Sequence, residues 1–126
     1  MGKFVIKKTN TGYNFHLKAG NGETVATGEV YKDLDSCYAG IQSVVKNAQA
    51  ANLEDQTVNN FEEQKHPKFE IYKDKAEHFR FRLKAKNGEV IVASEPYTTK
   101  ANCKNGIKSV MKNVVDAKIL EQFEDK

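Results

Sequence analysis

Arg80, Arg82 and Lys84 alternate along FRFRLK (79–84), so a strand there turns three cations toward one face. Tyr72 in FEIYK (69–73) belongs beside them on the preceding strand. An open sheet face with cations and an aromatic ring can hold single-stranded nucleic acid, because the cations follow the phosphates and the ring stacks a base. The same residues have a plainer use. Counting outward from Asn87-Gly88 sets Lys86 opposite Glu89, Arg82 opposite Ala93 and Arg80 opposite Glu95. Opposite charges across strands stabilise a sheet by roughly 0.2–1 kcal/mol a pair. The first half puts Asn14, His16 and Lys18 at the matching positions, so the basic patch is one-sided. A solvated sheet face is favoured over nucleic acid, and Tyr72, Arg80, Arg82 and Lys84 stand as the surface-binding candidates.

A second basic feature is helical. Lys100, Lys104, Lys108 and Lys112 step by four, and like charges at that spacing are mildly destabilising. Contact with a polyanion would explain them, as would a solubilising outer helix face. Cys37 and Cys103 occupy equivalent places on an apolar helical stripe, without the C-x-x-C pairing of a zinc site. Free buried thiols are expected there. His16, His66 and His78 show no ligand or triad spacing, with His16 on the solvent side of a strand. No nucleophile elbow or phosphate-binding glycine loop occurs. The expectation is a non-catalytic protein without metal or cofactor.

The elements that must position these residues come in two copies. Residues 15–47 and 81–113 are identical at 16 of 33 positions, at a constant offset of 66. Phe4-Val-Ile-Lys continues the match upstream against Phe69-Glu-Ile-Tyr, and Phe61-Glu-Glu resembles Phe123-Glu-Asp downstream. Each copy opens with a strand (Phe4/Ile6, Phe69/Ile71) and a second alternating strand (Phe15–Ala19, Phe79–Ala85). Asn-Gly then predicts a two-residue type I′ turn. Third strands follow at Thr24–Glu29 and Val90–Glu95. Asp33 and Thr99 can cap helices whose apolar residues fall at 37, 41, 44, 45, 48 and at 103, 107, 110, 111, 114. Gly40 and Gly106 lie mid-helix, where glycine costs about 1 kcal/mol relative to alanine, so a close approach is expected there. Last short strands are placed near Val58–Phe61 and Ile119–Phe123. The unit is βββαβ. One copy is marginal as an isolated core. Two copies, joined by the polar stretch 50–68, read as a dimer fused into one chain.

FEIYKDKAEHFRFRLKAKNGEVIVASEPYTTKANCKNGIKSVMKN (69–113) resembles the repeat of the YegP-like family of uncharacterised tandem-repeat proteins, and the first copy follows it with more divergence. The resemblance implies one antiparallel sheet built from both repeats, helices on one face, and C-terminal strands exchanged between repeats. It carries over no catalytic residue.

Bulk composition agrees with a folded α+β protein: 39% hydrophobic, 29% charged, net charge +3. Residues 1–63 carry 6 basic against 8 acidic side chains, residues 64–126 carry 14 against 9, and such asymmetry can mark a polyanion-binding surface. No apolar run has membrane-spanning length and MGKFVIKK has no signal-peptide core, while Ile6 stands where myristoylation favours Ser or Thr. The expected protein is a cytoplasmic, single-domain monomer, with repeats at 1–63 and 64–126. It binds a protein or small ligand through its open sheet face. The alternative is a nucleic-acid-associated protein using the basic second repeat.

Overall fold

The computed structural model describes residues 2–123. Each repeat supplies four strands and a helix: β1 Lys3–Lys8, β2 Tyr13–Lys18, β3 Thr24–Gly28, α1 Leu34–Ala50 and β4 Asn52–Asp55, then β5 Lys68–Lys73, β6 Phe79–Lys84, β7 Val90–Ala93, α2 Lys100–Asn113 and β8 Lys118–Gln122. They form one eight-stranded sheet in the order β4-β5-β6-β7-β3-β2-β1-β8. The repeats meet where β3 and β7 pair antiparallel through Thr27–Ala93 and Gly28–Val92.

The sheet is mixed, where an antiparallel one was expected. Strand β4 of the first repeat runs parallel to β5 of the second, and β8 of the second runs parallel to β1 of the first. The exchange itself fits the family resemblance. Each helix carries the chain back across the sheet to the other repeat's edge, so the strand that follows arrives parallel. Only Ala51 separates α1 from β4, and residues 58–61 form no strand; Val58 and Phe61 are exposed. The offset of 66 in fact persists to the end of the repeat, pairing Asn52 with Lys118. The likeness of Phe61-Glu-Glu to Phe123-Glu-Asp pointed to a different place.

Both Asn-Gly turns also differ from expectation. Ala19 N–H donates to Glu23 and Gly22 N–H to Ala19; Ala85, Glu89 and Gly88 repeat the pattern. Only the glycines take positive φ, +89° at Gly22 and +87° at Gly88. These are three-residue loops in which a turn is followed by a left-handed glycine. The asparagines act through their side chains, accepting from the Glu23 and Glu89 N–H groups at 3.0 Å. The extra residue shifts the register between Leu83 and Lys84, so Arg82 pairs with Ala93 as counted but Lys84 faces Val90.

Phe4, Phe15, Phe69 and Phe81 head a single buried cluster that both helices cover with Cys37, Ile41, Val44, Cys103, Ile107 and Val110. Phe4 meets Phe15 edge-on at 5.7 Å and Phe69 meets Phe81 at 5.9 Å. Asp33 and Thr99 cap the helices by accepting from Ser36 and Asn102 N–H groups. The close approach at the helix glycines is to tyrosines. A Cβ at Gly106 would overlap the Tyr97 hydroxyl and stand 2.8 Å from Tyr97 Cζ and 2.9 Å from Phe81 Cε2. Gly106→Leu is therefore expected to lower stability by roughly 1–3 kcal/mol in chemical denaturation, despite leucine's better helix propensity. A variant as stable as the parent would show that Tyr97 yields without cost.

Candidate functional site

The face opposite the helices carries one continuous rung: Glu54, Glu70, Arg82, Ala93, Thr27, His16, Val5 and Leu120. Its two halves correspond by the repeat, and they differ in chemistry.

In the β4-β5-β6 half, the cations singled out from the sequence are compensated. Arg82 Nε lies 2.6 Å from Glu70 Oε1 and Lys84 Nζ lies 3.2 Å from Glu70 Oε2. Arg80 Nε lies 2.6 Å from Asp74 Oδ2, not on Glu95 as the counted register had it. Arg82 stacks over Tyr72, its Cζ 4.4 Å from the ring centroid. Glu29 and Glu89 line the same open depression as Tyr72 and Arg82, so the ground there mixes both signs. The four candidate residues are thus brought together, and the three cations are bound into internal ion pairs.

Sequence reasoning missed the group beneath them. Lys68 Nζ contacts Glu54 Oε1 at 2.7 Å and Glu70 Oε2 at 3.3 Å, with all three side chains at most 4% exposed. Gln56 and the Gln64 N–H also donate to Glu54, so the segment 56–67 covers this half. Burial pushes the Glu54 carboxyl up, but the bonds from Gln56, Lys68 and Gln64 outweigh it and bring it down to about 2. The signal was available: a strand reading Lys68-Phe-Glu70 puts opposite charges on the face that Arg82 and Lys84 share.

In the β2-β1-β8 half, the matching rung positions hold Leu120, Val5 and His16. Beside them Lys118, Lys3 and Lys18 stand next to one another on adjacent strands. Lys7 lies one rung further along β1. None of these four lysines makes an ion pair among the described residues. Burial, then the charges of Lys7 and Lys18, hold the His16 imidazole below its usual value, and its Nδ1 sits 3.1 Å from Thr27 Oγ1.

A family described as "Domain of unknown function (DUF1508)" matches residues 9–55 and 74–121, one copy in each repeat. The chain belongs to this family. It is 35% identical over 121 residues to the UPF0339 protein PA0329 of Pseudomonas aeruginosa, covering 95% of this chain and 96% of that one. It is 63% identical over 54 residues to a UPF0339 protein of Treponema denticola, covering 43% of this chain and 93% of that relative, which is thus about one repeat long. The solution structure of the YegP protein of Escherichia coli superposes with a TM-score of 0.78 at 29% identity, over 99% of this chain and 96% of that one.

The remaining candidates in this DUF1508 chain have structural surroundings. Cys37 and Cys103 are free and buried, and burial, followed by the Asp55 charge, pushes the Cys103 thiol up to about 11, far from a reactive thiolate. Lys100 pairs with Asp55 at 2.9 Å, tying α2 to the exchanged strand β4. Lys104, Lys108 and Lys112 are exposed on the other side of the sheet from Arg80, Arg82 and Lys84, so the two basic groups form no common groove. Among the described residues no cluster of His, Cys, Asp and Glu has metal-binding geometry, and no helix is long and apolar enough to cross a membrane.

Proposed function

We propose that the chain is a non-catalytic binding module that takes an acidic polypeptide segment on the outer sheet face of its β2-β1-β8 half. One observation carries this reading: Lys118, Lys3 and Lys18 stand side by side across three strands, without a carboxylate partner among the described residues. Like charges directly opposite one another on a sheet are destabilising. The other repeat has two lysines at the matching places, Lys68 and Lys84, with Asn52 in the third, and relieves them by placing Glu70 and Glu54 where this half has Val5 and Leu120. A bound anionic partner supplies that relief from outside.

A peptide suits this half better than a nucleic acid. Among the described residues its outer rungs hold no Phe, Tyr or Trp ring on which a base could stack, and the one imidazole, that of His16, is partly buried and held against Thr27. Leu120 is exposed, and β8 ends the sheet with an edge to which an extended segment can add. The test uses a fluorescent oligoglutamate peptide, a single-stranded and a duplex DNA, each titrated across a salt series. Salt-sensitive peptide binding is expected, and it is expected to be lost in the Lys3→Gln/Lys18→Gln/Lys118→Gln variant. That variant is also expected to be slightly more stable than the parent. Peptide binding unaffected by the triple change would overturn the proposal. DNA binding that survives physiological salt and collapses in Arg80→Ala/Arg82→Ala would move the function to the second repeat.

A further inference from the structure

Two clefts lie on the helix side, each between the Asn-Gly loop of one repeat and the helix of the other. The first, about 480 Å³, is lined by Gly20, Asn21, Lys108, Ser109, Lys112 and Asn113, with two neighbours. The second, about 340 Å³, is lined by Lys86, Asn87, Gln42, Ser43, Lys46 and Asn47, with two neighbours. Every residue of one is the repeat counterpart of a residue in the other. Asn21, Ser109 and Asn113 recur as Asn87, Ser43 and Asn47, while Asn105 answers to Ala39. The lysines are not all in the same place: Lys108 answers to Gln42, and Gly20 answers to Lys86. Among the described residues each cleft nevertheless holds two lysines and no carboxylate. Glu23 belongs to the adjoining groove with Tyr97.

Packing does not account for this. Lys46, Lys86, Lys108 and Lys112 are exposed and make no ion pair among the described residues. Lys108 and Lys112 repel each other along one helix face. A structural role for the loop explains its asparagine and glycine but not a charge of +2 that is kept while one lysine moves from helix to loop. We infer that each cleft binds a small oxyanion carrying at least two negative charges. The two ammonium groups neutralise it from different directions in the two sites. The loop residues 20–21 and 86–87 offer backbone N–H groups not used in the loop's own hydrogen bonds, and amide and hydroxyl side chains line the walls. Phosphate esters and polycarboxylates share this chemistry. The inference is independent of the outer-face proposal, because these residues lie across the sheet from it.

The experiment is an amide-resolved NMR titration of the whole protein with pyrophosphate and with citrate, against sodium chloride at matched ionic strength. Saturable shifts are expected at residues 20–22 and 86–88, and the anion giving the tighter curve names the class. Lys108→Gln/Lys112→Gln is expected to weaken the first site by at least about tenfold and leave the second unchanged. Lys46→Gln/Lys86→Gln is expected to do the reverse. Gly20→Lys/Lys108→Gln gives the first cleft the second cleft's arrangement and is expected to keep binding. All substituted residues are exposed, so the fold is retained, as the unchanged spectrum elsewhere would verify. Shifts that follow ionic strength alone, curves that do not saturate, or loss at both sites from either double change would overturn the inference.

Discussion

Expressed apart, residues 1–63 and 64–126 are expected to lose the native fold, and mixing them is expected to restore it. In the intact chain β4 pairs only with β5 and β8 only with β1, so every repeat's last strand finds its partner in the other repeat. Helix α1 packs on β2 but also on β5, β6 and β7. A unit of about 60 residues buries only about 60% of its unfolded surface even when complete. Separated here, each half also exposes two strand edges and half of a shared apolar cluster. Each half alone is expected to melt without cooperativity or to pair with its own copies. The equimolar mixture is expected to give one heterodimer with a single transition, read by sedimentation and thermal melting. Two independently stable monomers with sharp transitions would show that the exchanged strands contribute little.

Lys68→Ala is expected to cost roughly 3–5 kcal/mol, the usual result of leaving buried charges without their partner. It strands Glu54 beneath the 56–67 segment, while Glu70 keeps Arg82 and Lys84. Lys68→Ala combined with Glu54→Leu and Glu70→Val copies the apolar residues of the other half and is expected to recover most of the loss. The same network gives stability a dependence on acid. Glu54 titrates at about 2 in the folded protein against 4.5 for the ordinary carboxyl. Its contribution is present above about pH 4.5 and is lost as pH falls toward 2. Urea midpoints measured from pH 6 to pH 2 are expected to fall more steeply for the parent than for the triple variant. Parallel profiles would place the acid sensitivity elsewhere.

The repeat, the helix stripes and the caps were legible because each is a local pattern. Cys37, Ile41 and Val44 are spaced for one helix face whatever surrounds them, and all three are buried. Three things were not legible. The edge strands are parallel because of where the helices cross, and nothing within Asn52–Asp55 records its neighbour. The turn type depended on what the asparagine side chain bonds, and Asn-Gly serves both geometries. The outer-face cations read as a free basic patch although Glu70, their partner, stands on the same face; what lay out of reach was Glu54, which completes the buried group with Lys68 but is distant in sequence. Its strand sits two places away across the sheet, and a covering loop completes the burial. Three of the four uncompensated outer-face lysines, Lys3, Lys7 and Lys18, were hidden in the half with the lower net charge. Summed charge says nothing about which side chains meet.

The parallel pairing of β1 with β8 has a mechanical consequence. Lys3 stands beside Lys118 and Lys7 beside Gln122, so the first strand and the last point the same way. A force applied at the two termini pulls β1 back toward its start and β8 on toward its end, along their shared axis in opposite directions. The bonds between them are loaded together in shear, and none can open ahead of the others as in a zipper. The ladder that joins the two ends of the chain is thereby a clamp, and it must yield before tension reaches the rest of the sheet.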